Sequence, residues 1–126
     1  HASIMQKLQD ALPNCTIREF VGRDHDLNST HLLWTEADVV VAPHGAALAF
    51  MTFMRPGRAV IEIGYDNYDS RGMTFPLSYF MSIAASVGLR YYLSIARGGY
   101  SSSLRADVED IVSLVQLALR QVTLDI

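Results

Sequence analysis

The chain has 126 residues, half of them apolar and 18% charged, with a formal net charge of −3. That is one folded domain with a real core, which excludes a disordered chain and is small for a complete two-substrate enzyme. The acidic balance gives no electrostatic footprint for nucleic acid or an anionic membrane, and no apolar run reaches the ~20 residues that span a bilayer.

Cys15 is the single cysteine, so an internal disulfide and a cysteine-rich zinc site are excluded. Asn14-Cys15-Thr16 and Asn28-Ser29-Thr30 fit the glycosylation acceptor pattern, a hint of a secretory-pathway parent. The chain starts at His1 with no initiator Met and no signal-peptide layout, and reads as cut from something longer.

In chain order, Ile4, Met5, Leu8 and Leu12 form a helical stripe that Pro13-Asn14 stops. Thr16 to Phe20, β-branched and aromatic, predicts a strand. Leu27, Thr30, Leu33 and Trp34 repeat at helical spacing behind Asp26, an N-cap residue. Val39 to Ala42 are too few for a helix and too uniformly apolar for a half-wet strand, which predicts a buried parallel strand. A helix follows from about Gly45 to Met54, then the Pro56-Gly57 turn and a strand over Arg58 to Ile63.

A polar loop is predicted from Gly64 to Met73, and a helix from Pro76 with the stripe Leu77, Phe80, Met81, Ala84 and Val87, closed by Gly88. Arg90 to Ile95 predict a strand and Ala96 to Ser103 a Gly/Ser-rich loop. Val108, Ile111, Val112, Val115 and Leu119 mark a long closing helix. The fold class is therefore α/β: a three-layer Rossmann-like domain with a mainly parallel sheet of about four strands. Such a domain normally opens on a strand, whereas this chain opens on a helix, so its first strand or strands are expected to be missing.

The informative stretch is Ala37-Asp38, the apolar strand, and His44-Gly45-Ala46-Ala47-Leu48. Open α/β sheets bind ligands outside the carboxyl ends of their strands, and a helix starting there offers unpaired amides and its positive dipole end to an anion. Those are the requirements of a phosphate site. No Gly-x-Ser-x-Gly elbow, no phosphate loop with Gly-Lys-Ser/Thr and no Gly-x-Gly-x-x-Gly turn competes with it.

In this order and spacing the sequence resembles glycosyltransferase family 61. The resembling pieces are Ala37-Asp38 with its strand, His44-Gly45-Ala46-Ala47-Leu48, Phe53-Met54-Arg55-Pro56-Gly57 and Val60-Ile61-Glu62, over roughly residues 27 to 95. Two departures stand out: Ala47 replaces the family's second glycine, and Arg55 replaces a proline often found before Pro-Gly. The resemblance implies a GT-B enzyme whose C-terminal Rossmann-like half holds a nucleotide-sugar donor. On that view residues 1–126 are part of this half, and the missing N-terminal domain of the same parent holds the acceptor.

The implied activity is that of an inverting glycosyltransferase, a hexosyl- or pentosyltransferase that moves sugar from a UDP-sugar to a protein or polysaccharide hydroxyl. It would be metal-independent and need no cofactor beyond the donor, and this segment alone would be inactive. The implied place is the Golgi or ER lumen for a membrane-anchored eukaryotic parent, or the cytoplasm for a bacterial one. The alternative is a catalytically inactive Rossmann-like nucleotide-sugar-binding or interaction module.

The donor-binding candidates are His44, Gly45, Ala46, Ala47, Glu62, Tyr65 and Arg71; no catalytic base and no metal ligand is nominated. His44 can donate a ring N–H to the diphosphate, or merely cap the turn. Gly45 to Ala47 are the helix amides facing the diphosphate, or simply small residues where helix meets sheet. Glu62 can accept two ribose hydroxyls, pair with Arg58 or Arg55, or contact the His44 loop. Tyr65, Asn67, Tyr68 and Arg71 follow the third strand, where an aromatic can stack on uracil and Arg71 can pair with phosphate. Asp38 reads as a capping or loop residue. Asp24, His25, Asp26 and His31 have metal-ligand side chains without metal-ligand spacing. Tyr91 and Tyr92 alternate in a strand, so at least one is core or sheet-facing surface.

Overall fold

The structure is a computed structural model and describes residues 2–67, 79–99 and 106–124. Three strands, β1 (Val39–Pro43), β2 (Ala59–Asn67) and β3 (Arg90–Gly99), form one all-parallel sheet in the order β1-β2-β3. In register, Val39 faces Ala59 and Ala42 faces Glu62 across β1 and β2. Ala59 faces Arg90 and Val60 faces Tyr91 across β2 and β3.

Helices α1 (Ala2–Ala11) and α4 (Val108–Leu124) cover one face of the sheet. Ile61 and Ile63 of β2 meet Ile111, Val115, Ala118 and Val122 there, and those four lie at the 4-3-4 spacing of one helix face. The other face carries α2 (Leu27–Glu36), a 3-10 helix (Ala46–Phe53) and α3 (Tyr79–Val87), with Val60, Trp34, Leu48, Met51, Phe80 and Ala84 in its core. The period of two in β2 thus sends alternate residues into two separate cores, which is why that strand is apolar throughout its first half.

The helix signals act as expected. Asp26 caps α2, its Oδ1 accepting from the Ser29 amide at 2.8 Å. Asp107 does the same for α4 through the Asp110 amide at 3.1 Å. Gly88 ends α3 at φ +75°, with the Leu89 amide reaching back to the Ala84 carbonyl at 2.9 Å. Leu27 and Met81, expected on the buried stripes of α2 and α3, are exposed. Pro76 and Leu77 lie outside the described residues.

Several expectations change. About four strands were expected, and three are present among the described residues. Thr16 to Phe20 form no ladder. The segment is still anchored as a strand would be, with Ile17 packed into the α1/α4 core and Phe20 into the opposite one. A cleft of about 920 Å³ is lined by this segment and by the edge strand β1, so the segment's strand preference goes unpaired.

The helix after β1 is of the 3-10 type, and its reason is visible in burial. Leu48, Met51 and Met54 are all buried at a spacing of three, the period of that tighter helix. β2 continues to Asn67 and β3 to Gly99, where loops were expected from Gly64 and Ala96. The two extensions pair with one another through a register shift at Tyr65/Asn67, so each supplies the ladder partner that its own composition does not advertise.

Candidate functional site

The site is built at the carboxyl end of β1, beside the middle of β2, which runs on to Asn67 rather than ending near Ile63 as expected. His44 follows Pro43, and its amide donates to the Ile63 carbonyl at 2.9 Å, continuing the ladder one step past the strand. Gly45 follows with a φ of 166°, extended backbone that any residue adopts. A Cβ placed on it would meet nothing closer than the Pro43 carbonyl oxygen at 3.9 Å. Neither backbone strain nor packing demands glycine here.

The Leu48 amide makes the first helical bond, to the Gly45 carbonyl at 3.1 Å. By the geometry of helix starts, the Ala46 and Ala47 amides precede any intrahelical partner. Both alanines are exposed, so the turn is not sealed beneath side chains, and close packing of helix on sheet does not account for their small size. The same cleft that separates residues 14–20 from β1 is lined at this end by His44, Gly45, Ala46 and Ala47.

Glu62 is the central buried group. It is fully buried, and its two carboxylate oxygens are divided between two donors, one on β3 and one in the turn after β1. Oε2 accepts from His44 Nδ1, and Oε1 accepts from the Tyr91 hydroxyl at 2.5 Å. Of the readings open to Glu62, the contact with the His44 loop is the one the structure displays. Arg55 and Arg58 pair instead with Asp38, at 3.4 and 3.2 Å, at the amino end of β1. The Arg58 contact is an ion pair without hydrogen-bond alignment. Asp38 is therefore a loop residue that ties the chain before β1 to the chain before β2.

Tyr65 is buried, and its hydroxyl donates to the His44 carbonyl at 2.7 Å. The His44 ring is boxed by aromatic edges: Phe80 at 5.2 Å and Tyr65 at 5.8 Å between ring centres, both T-shaped. Its side chain is 9% exposed. The loop is thus held by its amide, its carbonyl and its ring at once.

The structure brings His44, Gly45, Ala46, Ala47, Glu62 and Tyr65 together; Arg71 and Tyr68 lie outside the described residues. Tyr91 is the member that sequence reasoning missed as part of the site. Its signal was available only in register: Tyr91 faces Val60, two residues before Glu62 and on the same sheet face. Among the described residues no three His, Cys, Asp or Glu side chains gather around a common point. His25 contacts the Ser29 hydroxyl, Asp26 caps α2, and His31 lies against Phe53.

Residues 1–61 match the family model described as Glycosyltransferase 61. That match, over just under half of the chain, supports a likeness to glycosyltransferase family 61. The match takes in β1, His44 to Leu48 and the Pro56-Gly57 turn, and ends one residue before Glu62. It supports a glycosyltransferase in general, a transferase with a sugar donor and an acceptor. No curated protein and no solved structure matches the chain. No helix among the described residues is long and apolar enough to cross a membrane.

Proposed function

We propose that this chain forms the donor-diphosphate end of an inverting glycosyltransferase site that takes a UDP-sugar. The observation that carries the reading is the pair of buried Glu62 and part-buried His44, with His44 directly before the exposed helix-start residues at the carboxyl end of β1. With Nδ1 committed to Glu62, Nε2 is the nitrogen by which His44 meets the diphosphate. The amides of Ala46 and Ala47 add donors from the backbone, and Gly45, whose surface a Cβ would not crowd, lets the phosphate come close.

In the transfer, an acceptor hydroxyl oxygen forms a bond to the anomeric carbon as the bond from that carbon to the diphosphate oxygen breaks. The diphosphate leaves with the electron pair. Negative charge grows where His44 and the helix amides stand, so fixed donors there favour the transition state more than the bound donor. The hydroxyl proton passes to a general base. We place that base on an acceptor-binding domain rather than on these residues. Tyr65 and Glu62 serve as supports of the turn in this reading, each through a contact to His44.

Calorimetry of the chain with UDP tests it, with His44→Ala as the comparison. A charge-assisted hydrogen bond contributes about 1.5–3 kcal/mol, so removing the imidazole should weaken UDP by roughly 10- to 150-fold. Equal binding by both forms would remove His44 from the site.

A further inference from the structure

We infer that Tyr91 is a positioning residue for the donor site, acting through Glu62 on His44; this rests on the donor-binding reading of His44. Tyr91 comes from β3, Glu62 from β2 and His44 from the turn directly after β1, and all lie on the sheet face that carries α2, the 3-10 helix and α3. They form a chain of two hydrogen bonds across the whole width of the sheet.

The reason lies in what a buried carboxylate can do. Glu62 is fully buried, so each of its oxygens depends on a protein donor. A carboxylate held through one oxygen can still turn about its last torsion, which is broad. Tyr91 takes Oε1, and that fixes both the plane of the group and the identity of the oxygen presented to His44. Oε2 in turn keeps a proton on Nδ1, which sets the direction of Nε2. Second-partner groups of this kind orient a ligating histidine without touching what it binds. Tyr91 lies outside the family-matched residues 1–61.

The experiment is Tyr91→Phe in the full chain, read in two ways. In proton NMR of histidine-labelled protein, the Nδ1-bound proton of His44 should resonate well downfield and should move or broaden in Tyr91→Phe. In calorimetry with UDP, Tyr91→Phe should weaken binding about tenfold. The double variant with His44→Ala should bind like His44→Ala alone, because a group that acts only through His44 has nothing left to orient. A merely structural tyrosine would lower the melting temperature while leaving the resonance and the UDP affinity unchanged, and that result overturns the inference.

If the wild-type chain does not bind UDP, the donor reading fails, and the His44 resonance alone decides for or against Tyr91. Should Tyr91→Phe not fold, 3-fluorotyrosine at position 91 keeps the hydroxyl and changes its donor strength. The His44 resonance must then shift, and an unmoved resonance refutes the inference.

Discussion

Replacing Glu62 with alanine removes the acceptor that two donors use inside the protein. Tyr91 Oη and His44 Nδ1 both donate to a carboxylate with no solvent exposure. A buried donor deprived of its acceptor costs about 1–3 kcal/mol, so two give about 2–6 kcal/mol. That is a large part of the roughly 5–15 kcal/mol that holds a domain of this size together. Glu62→Gln should cost much less, because the amide keeps the volume, its carbonyl accepts from one donor, and its NH2 suits an imidazole that accepts at Nδ1. Urea denaturation of the three forms, with unchanged slopes, measures the difference. An alanine variant within about 0.5 kcal/mol of wild type would show that the two bonds do not organise this core.

Four further outcomes are expected. Gly45→Ala should leave the denaturation midpoint unchanged, since its Cβ has room, but should weaken UDP in calorimetry if phosphate comes as close as proposed. Gly57→Ala, at φ +82°, should instead cost about 1 kcal/mol or more in denaturant unfolding with no direct effect on UDP. Leu48→Ala, in the fully buried row of the 3-10 helix, should cost about 2–5 kcal/mol, whereas Leu27→Ala, at 68% exposure, should stay within about 0.5 kcal/mol in the same assay. The hydrogen bonds from the Ser29 amide and then its hydroxyl hold the Asp26 carboxyl below its usual value of 3.8. Its folded value is depressed, so its contribution to stability is present above about pH 4 and lost as acid takes the pH through the folded value. Stability measured by urea against pH should lose part of this acid dependence in Asp26→Asn.

What could be read in the sequence was local. Asp26 as a cap, Gly88 as a helix end and the α4 stripe at Ile111 and Val115 are short-range patterns, and each is present, although the buried row continues through Ala118 and Val122 rather than Leu119. Val39 to Ala42 declared themselves a parallel strand by being apolar on both faces, though at the sheet's edge they are half-buried rather than buried, and the turn after them showed in its small residues. What failed depended on partners far along the chain. The polar stretch after Gly64 and the glycines after Ala96 become strand because they pair with each other. Thr16 to Phe20 have strand chemistry but face β1 across a cleft. The 3-10 winding was hidden because Ala46 to Phe53 is apolar at almost every position, which masks any period. For the site, His44 and the turn could be found from the motif. The division of Glu62 between His44 and Tyr91 could not, because it is a fact of register among three strands.

The most direct measurement is a backbone-amide NMR titration of the chain with UDP. Saturable shifts are expected, concentrated at His44, Gly45, Ala46 and Ala47, where a helix start meets the end of β1. Saturable shifts gathered elsewhere on the chain, with those four amides unmoved, would contradict the donor reading of this turn.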